Sequence, residues 1–369
     1  MHIAMSVWRM NREGFSAERE HLLDVGLRLR HRFAGTQLTR IDTTDRPTET
    51  EGNLDMVRVG RGDSPWARLR FEQMDLPRAA RAVGADLLFI PYASAPLSSD
   101  VPVVAGGWDP GPTDGGGALE RVRWSLGQAG LRGAEAVIVF ADQLPAAAGG
   151  IHFVTLPPSV GPAFRPVPSP DDGAVRSRLG LPEAYVLCLA PPKDRLDFLL
   201  AAWTWVDGSV GDSIPLVVAG VPSPPSGPLR SHTKDMDLAG SVHILEEPAL
   251  PDLAPLFRGA QAYLDVGSSS AQVLRWAMAC GLPVAAMESV RSAAVLGDAA
   301  YLAAAEDSRA LGAACLTLLV EPDVAGPLRQ KGLVRAAAFH GDGPLQACYE
   351  LFVKIARPVR PAQRQGGSP

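Results

Sequence analysis

The sequence predicts an α/β protein built from two doubly wound domains, each with a parallel sheet covered on both faces. Three observations support this fold class. The chain has 369 residues, more than a single hydrophobic core usually supports. Short, continuously apolar runs alternate with amphipathic segments, which is typical of strands buried on both faces between helices. A proline-rich stretch interrupts this alternation midway, and the alternation then restarts.

The first half opens with a buried-type strand, "HIAMSV", and a helix over residues 16–33 for which Ser16 is a suitable N-cap. Two further helical patterns cover residues 64–84 and 118–131. The other strands of this half are predicted at 86–93, 101–107, 135–140 and 151–156.

The second half repeats the pattern, with strands predicted at 184–190, 215–220, 241–246, 262–267 and 282–287. We therefore divide the chain into an amino-terminal domain, 1–160, a linker, 161–175, and a carboxy-terminal domain, 176–343. A last helix over 344–357 is expected to pack back on the first domain. Residues 358–369 are expected to be disordered because they are polar and rich in proline and glycine.

The composition narrows the classes of partner. A net charge of −5 and a pI of about 5.8 argue against a nucleic-acid-binding surface. The four cysteines each lie in an apolar run, which favours buried free thiols in a reducing compartment. No apolar run approaches the roughly 20 residues that span a bilayer, and no histidines have metal-ligand spacing. We expect a cytoplasmic protein without a bound metal.

Several segments of the chain resemble one family. "AYVLCLAPPKDRLDFLLAAW" (184–203) is similar to the first strand, turn and helix of the donor domain in GT-B glycosyltransferases of the retaining family 4 (group 1). The block 250–302, which contains "AMACGLPV" and "GDAAYL", resembles that family's donor-binding region. The strands "DLLFIPYA" and "VPVVAGG" are similar to its acceptor-side strands. The resemblance extends over about residues 1–355.

This resemblance implies a GT-B fold, in which two Rossmann-like domains face each other across an interdomain cleft. It also implies transfer of a sugar, with retention, from a nucleotide-sugar donor to a glycan or lipid-linked acceptor, as in polysaccharide biosynthesis. No cofactor and no metal are implied. A peripheral association with a membrane stays open.

The turn "PPKDRL" corresponds to the place where the family stabilises the leaving diphosphate with an Arg–Lys pair. The resemblance aligns that pair with Lys193 and Asp194. The carboxylate of Asp194 would oppose a phosphate, whereas Lys193 and Arg195 could flank one. A solvated charged turn without a ligand is the alternative.

The family also uses two glutamates with seven residues between them, and the resemblance aligns these with Ser268 and Trp276. Serine can hydrogen-bond a sugar hydroxyl but carries no charge. An indole cannot accept a hydrogen bond from a ribose, and its bulk would crowd one. The alternative for Trp276 is an aromatic side chain that fills an emptied pocket.

The serine loop, Ser268, Ser269 and Ser270, leads into a helix whose backbone N–H groups could receive a phosphate whatever the side chains are. A cluster that only caps the helix would have the same sequence. On the acceptor side, the family's His–Asp pair aligns with Trp108 and Asp109. Asp109 could act as a base on an acceptor hydroxyl, or it could cap the following turn.

Two functions remain in view. The first is a glycosyltransferase with altered donor recognition. The second is a catalytically inactive GT-B protein that acts as a binding or regulatory partner. The packing segments keep their apolar pattern while charged donor-site positions differ, which is what lost or redirected chemistry would leave. Another cleft enzyme, such as an epimerase, is weaker because the sequence offers no clear set of positioned acids and bases.

Overall fold

The structure is a computed structural model, and it describes residues 1–7, 15–43, 56–60, 64–107, 118–140, 149–210, 213–221, 227–267 and 270–356. Its strands are β1 His2–Ser6, β2 Gln37–Asp42, β3 Met56–Arg58, β4 Leu87–Ile90, β5 Val103–Gly106, β6 Ala136–Phe140, β7 Phe153–Leu156, β8 Val186–Leu189, β9 Leu216–Val221, β10 Val242–Glu246, β11 Ala262–Asp265, β12 Val284–Met287 and β13 Tyr301–Ala303.

The helices are α1 Ala17–Arg32, α2 Pro65–Arg70, α3 Leu76–Ala82, α4 Ala118–Leu131, α5 Asp172–Leu179, α6 Leu196–Val210, α7 Gly227–Asp235, α8 Leu250–Gly259, α9 Ala271–Ala279, α10 Val290–Leu296, α11 Ser308–Val320, α12 Pro322–Ala337 and α13 Gly343–Ile355. A π-helical turn, Phe71–Asp75, lies between α2 and α3. One turn of 3₁₀ helix, Lys193–Arg195, precedes α6.

The chain forms two compact units. The described residues of unit 1 belong to 1–7, 22–157 and 342–356, and those of unit 2 belong to 15–21 and 158–341. Unit 1 holds a parallel sheet in the order β3-β2-β1-β4-β5-β6-β7, and unit 2 holds a parallel sheet in the order β10-β9-β8-β11-β12-β13. The predicted class, two doubly wound parallel-sheet domains, is confirmed.

The sheet of unit 2 is covered on both faces, as its continuous apolar strands predict. Along β8, Leu187 and Leu189 belong to one hydrophobic core, whereas Val186 and Cys188 belong to the other. All four side chains are essentially inaccessible to solvent. This double burial explains why the strand shows no polar alternation.

The structure differs from the sequence-based division in two places. Residues 15–21 group with unit 2, although the sequence division assigned them to the amino-terminal domain. Helix α5 begins at Asp172, inside the stretch 161–175 that was expected to be a linker. Asp172 is tied to α8 through Arg258, a long-range contact that the local sequence does not reveal.

Helix α13 belongs to unit 1 and carries two aromatic anchors. Phe352 is fully buried, and its ring centroid lies 5.1 Å from that of Phe89. Tyr349 stacks on Phe33 with centroids 3.8 Å apart and an interplanar angle of 6°. The last described helix is thus part of the core of the first unit.

All four cysteines are buried and free. Burial raises the pKa of Cys280, Cys315 and Cys348 to about 12, so these thiols are protonated at neutral pH. In the described part of the chain, no single helix has the length and apolar character needed to cross a membrane. Among the described helices, one pair, α11 and α12, reaches that criterion jointly, and the two are bent by 96° relative to each other.

Candidate functional site

The strand order of unit 2 fixes where a ligand is expected. Strand β8 lies between β9 and β11, so the connections from β8 and from β11 leave the sheet in opposite directions. In open parallel sheets, ligands bind beyond the carboxyl ends of the strands at this switch point. The connections that follow β8 and β11 are 190–195 and 266–270, which contain most of the predicted donor-binding residues.

Lys193 and Arg195 lie in the 3₁₀ turn after β8, which begins after the extended residue Pro192. The side chains of Lys193 and Asp194 are exposed. Arg195 is half-buried, and its Nη1 donates to both carboxylate oxygens of Glu306, at 2.8 and 2.7 Å. The structure therefore places both cations at the carboxyl edge, but it gives one of them a carboxylate partner that the sequence did not predict.

The ion pair shifts the pKa of Arg195 and the pKa of Glu306 in the directions that keep both groups charged. Hydrogen bonding to Glu306 raises the pKa of Arg195, and hydrogen bonding from Arg195 lowers the pKa of Glu306. Both groups are open to solvent, with exposed side-chain fractions of 28% and 62%, so the pair is readily exchanged for another partner.

Ser270 is the N-cap of α9. Its backbone is extended, and its Oγ accepts a hydrogen bond from the N–H of Val273 at 3.3 Å. Ser268 and Ser269 lie outside the described residues. The start of α9, with the positive end of its helix dipole, thus lies at the carboxyl edge directly after β11.

The indole of Trp276 lies inside the core of unit 2. Its exposed fraction is 1%, and it stacks on Phe164 with centroids 4.7 Å apart and an interplanar angle of 1°. Phe257 meets the same indole edge-on at 6.1 Å. Its Nε1 has no hydrogen-bond partner among the described residues. The side chain of Trp276 is therefore packed between aromatic rings rather than presented to solvent.

Two backbone positions at the same edge are strained or tightly packed. Ala190, directly after β8, has a φ of 51°, which is unfavourable for any residue except glycine. Gly220, in β9, has a φ of 78°, and a Cβ there would lie 2.9 Å from Cβ of Phe15 and 3.2 Å from Cβ of Ala190. Strained residues of this kind are found preferentially at functional sites.

The segment 15–21 brings charged groups to unit 2 that sequence reasoning missed. Arg19 is buried and forms an ion pair with Glu247, which follows β10. Its Nε also donates to Glu20 at 3.3 Å. Arg19 offsets the negative charge of Glu247. A separation of 228 residues leaves no local signal for this pair.

Asp265, the last residue of β11, is a further acidic residue at this edge. Residues 266–287 contain no acid, but this carboxylate directly precedes them and is only 1% exposed. Its proximity adds to the effect of burial in raising the pKa of the Cys188 thiol. A buried acid at the end of the switch-point strand is the signal that could have identified it.

Unit 1 has its own polar cluster at the carboxyl edge, whereas Asp109 lies outside the described residues. Glu72, in the π-helical turn, is 2% exposed and accepts hydrogen bonds from Arg68 at 2.7 Å and from Ser94 at 3.0 Å. Arg123 of α4 lies 3.4 Å from the same carboxylate. Buried ionic networks cost desolvation energy, so their presence favours a structural or functional requirement.

The cluster borders the switch point of unit 1, between β1 and β4. The hydroxyl of Tyr92, after β4, lies 3.0 Å from Oγ of Ser6 at the end of β1. The guanidinium of Arg68 lies 5.6 Å from the centroid of the Tyr92 ring. Burial, followed by the charge of Glu72, raises the pKa of Tyr92, so its hydroxyl stays protonated.

Among the described residues, no group of three or more His, Cys, Asp or Glu side chains is arranged to hold a metal ion. The groups at both edges are hydroxyls, guanidinium groups, carboxylates and helix N-termini. Such groups recognise anions and hydroxylated ligands by hydrogen bonding and charge.

The architecture is that of the GT-B glycosyltransferases, and three solved structures show the likeness. Sucrose-phosphate synthase from Thermosynechococcus elongatus is similar with a TM-score of 0.69 and 19% identity, over 96% of this chain and 99% of that one. HepE from Anabaena, in complex with UDP-glucose, has a TM-score of 0.67 and 16% identity, over 96% and 100%. WaaG, a glycosyltransferase involved in lipopolysaccharide biosynthesis, has a TM-score of 0.64 and 14% identity, over 94% and 98%.

In sequence, residues 184–321 match the family described as "Glycosyl transferases group 1". The matched segment runs from just before β8 to just after α11 and includes both connections at the switch point of unit 2. No curated protein sequence matches the chain.

Proposed function

We propose that the protein transfers a sugar from a nucleotide-sugar donor to a glycan or lipid-linked acceptor, with retention of configuration. The observation that carries this proposal is the match of residues 184–321 to the group 1 glycosyl transferases. That segment supplies both connections at the switch point of unit 2. The likeness to HepE, solved with UDP-glucose, supports a nucleotide sugar as the donor.

The residues at this edge suit the charge that develops during transfer. As the glycosidic bond to the diphosphate breaks, negative charge grows on the leaving phosphate. We assign its stabilisation to Lys193, Arg195 and the first-turn amides of α9 behind Ser270. The assignment is supported by the position of both connections at the carboxyl edge of one sheet. No metal or cofactor takes part in it.

The other assignments remain proposals of the same scheme. Ser268 and Ser269 would contribute hydroxyl and amide groups to the donor. Trp276, which is buried between aromatic rings, would support the donor pocket from within the core and would not touch the ribose. Asp109, in the amino-terminal part of the chain, would act as the base on the acceptor hydroxyl.

A non-catalytic GT-B protein is the second candidate, and two observations favour it. Glu306 already forms an ion pair with the guanidinium of Arg195. The indole of Trp276 is enclosed by aromatic rings, at the position where the family has a glutamate. A scaffold with these features could bind a partner or a nucleotide without turnover.

Binding is tested by thermal unfolding in the presence of UDP, GDP, ADP, CDP and dTDP at millimolar concentrations. A donor site gives a concentration-dependent increase in Tm with at least one of them, because a ligand that binds only the folded state stabilises it. Lys193→Ala and Arg195→Ala should each weaken the response, whereas Lys234→Ala, at the far end of α7, should not. No response to any nucleotide would exclude the transferase proposal.

Turnover separates the two candidates. The nucleoside diphosphate that stabilises the protein identifies the donor base, and the matching nucleotide sugars are then incubated with a glycan acceptor mixture. Release of nucleoside diphosphate supports the transferase, and the anomeric proton of the product in an NMR spectrum reports retention or inversion. Binding without any release would support the non-catalytic candidate.

A further inference from the structure

The ion pair between Arg195 and Glu306 joins two connections that are distant in sequence. Arg195 follows β8, and Glu306 lies between β13 and α11, 111 residues further along. Strands β8 and β13 are separated by β11 and β12, which places them about 14 Å apart at the usual strand spacing. The pair therefore links the connections that follow the first and the last strand of the series β8-β11-β12-β13.

Glu306 is held in an unfavourable backbone conformation. Its φ is 58°, in the left-handed region, which costs a non-glycine residue of order 1–2 kcal/mol. Ala190, five residues before Arg195, is likewise left-handed. Both connections that supply the pair thus contain a strained residue, which indicates that the position of the pair is imposed by the surrounding structure.

Glu306 is also linked to the connection that follows β11. Its N–H lies 3.3 Å from Sδ of Met287, at the end of β12. Cε of Met287 lies 2.2 Å from where a Cβ on Gly267 would be, and Gly267 has a φ of 82°. Met287 thus lies between the backbone of Glu306 and the connection after β11, while the carboxylate of Glu306 contacts Arg195 in the connection after β8.

We propose that Glu306 tunes the affinity of the phosphate site by competing with the ligand phosphate for the guanidinium of Arg195. This inference rests on the proposed function and deepens it. The carboxylate is a monoanion that holds Nη1 of Arg195, and it must give up this nitrogen before a phosphate oxygen can bind there. The free energy needed to separate the pair is the same for every ligand that takes its place.

Glu306 therefore lowers the affinity of the site for donor and product alike. With Glu306 in place, each ligand must separate the ion pair to reach Nη1 of Arg195. Without the carboxylate, Arg195 is open to both ligands.

The test is calorimetric titration of wild type and Glu306→Gln with UDP, UDP-glucose and inorganic pyrophosphate. Glu306 is largely exposed, so the substitution should leave the fold intact, which circular dichroism verifies. We expect UDP, UDP-glucose and pyrophosphate each to bind the variant up to about fivefold more tightly, because none of them has to separate the ion pair any longer. Arg195→Ala in the Glu306→Gln background should remove the gain.

Glu183→Gln is the matched control, because Glu183 is an exposed carboxylate that precedes β8 at the opposite edge of the sheet. If the wild type binds these ligands and Glu306→Gln has the same Kd values, this inference is overturned and the proposed function is unaffected. Failure of every protein to bind any of the three ligands would overturn both. Binding by Glu306→Gln alone would support the competition directly.

Discussion

The guanidinium of Arg258 forms a two-pronged contact with the carboxylate of Asp172. Nε donates to Oδ2 at 2.7 Å, and Nη2 donates to Oδ1 at 2.6 Å. Arg258 lies in α8 and Asp172 opens α5, so the contact joins two helices of unit 2. Hydrogen bonding from Arg258 lowers the pKa of Asp172, and hydrogen bonding to Asp172 raises the pKa of Arg258.

Asp172→Asn should lower the free energy of unfolding at pH 7 by about 1.5–3 kcal/mol, because it removes the charge from a paired hydrogen bond. The pKa of Asp172 is lower in the folded protein than in the unfolded chain, where it is about 3.9. The stabilisation is thus present above pH 4 and is lost as the pH falls through the lower folded value. Urea unfolding at pH 7 and at successively lower pH measures both effects.

Asp171→Asn provides the neighbouring control, since Asp171 is exposed and makes no side-chain cap to α5. It should leave stability nearly unchanged. If the free energies of unfolding of Asp172→Asn and wild type differed by the same amount at pH 7 and at pH 2, the charge of Asp172 would not be the source of the stabilisation.

Glu72→Gln should destabilise unit 1 by about 3–5 kcal/mol, because Arg68 and Arg123 would keep their buried charges without the carboxylate they share. Asp100→Asn breaks an ion pair of the same kind with Arg81, but both of those side chains are about 70% exposed. It should cost no more than about 1 kcal/mol. Chemical unfolding of the two variants makes the comparison. Equal effects would show that burial does not govern the strength of the Glu72 network.

Phe352→Ala should cost about 3–5 kcal/mol, because it empties a fully buried site against Phe89. Val353→Ala, next to it but half-exposed, should change stability by less than about 0.5–1 kcal/mol. Thermal unfolding of both variants, with near-ultraviolet circular dichroism to monitor aromatic packing, gives the comparison. A small effect of Phe352→Ala would mean that α13 contributes little to the core of unit 1.

The elements that the sequence predicts well are those in which local pattern and burial agree. Strands such as β4 and β8 are apolar at every position, because both faces are covered. Strand β2 escapes prediction because Thr39 and Arg40 interrupt its apolar residues, although both are more than 90% buried. The pattern 64–84 reads as one helix, yet the π-helical turn divides it.

For the candidate site, the sequence predicts which connections lie at the carboxyl edge of the sheet, but not which side chains pair there. Alternating strands and helices place the connections of Lys193 and Ser270 at the carboxyl ends of neighbouring strands, whatever their side chains are. The partner of Arg195 is not predictable, because Glu306 lies in a different connection and meets it only through the packing of the whole unit. The same reason conceals Arg19 from any local motif.

Neither unit is a single continuous segment of the polypeptide chain. Unit 1 is assembled from three stretches of chain and unit 2 from two. A chimera that exchanges everything after residue 157 would therefore bring a foreign α13 against the host's Phe33 and Phe89. An exchange of 158–341 alone would keep the host's α13 against Phe33 and Phe89. It would preserve the ion pair of the host's Arg19 only if the exchanged segment also carries an acid at position 247. Recombination between relatives is thus constrained by two small sets of contacts, and not by the position of the linker.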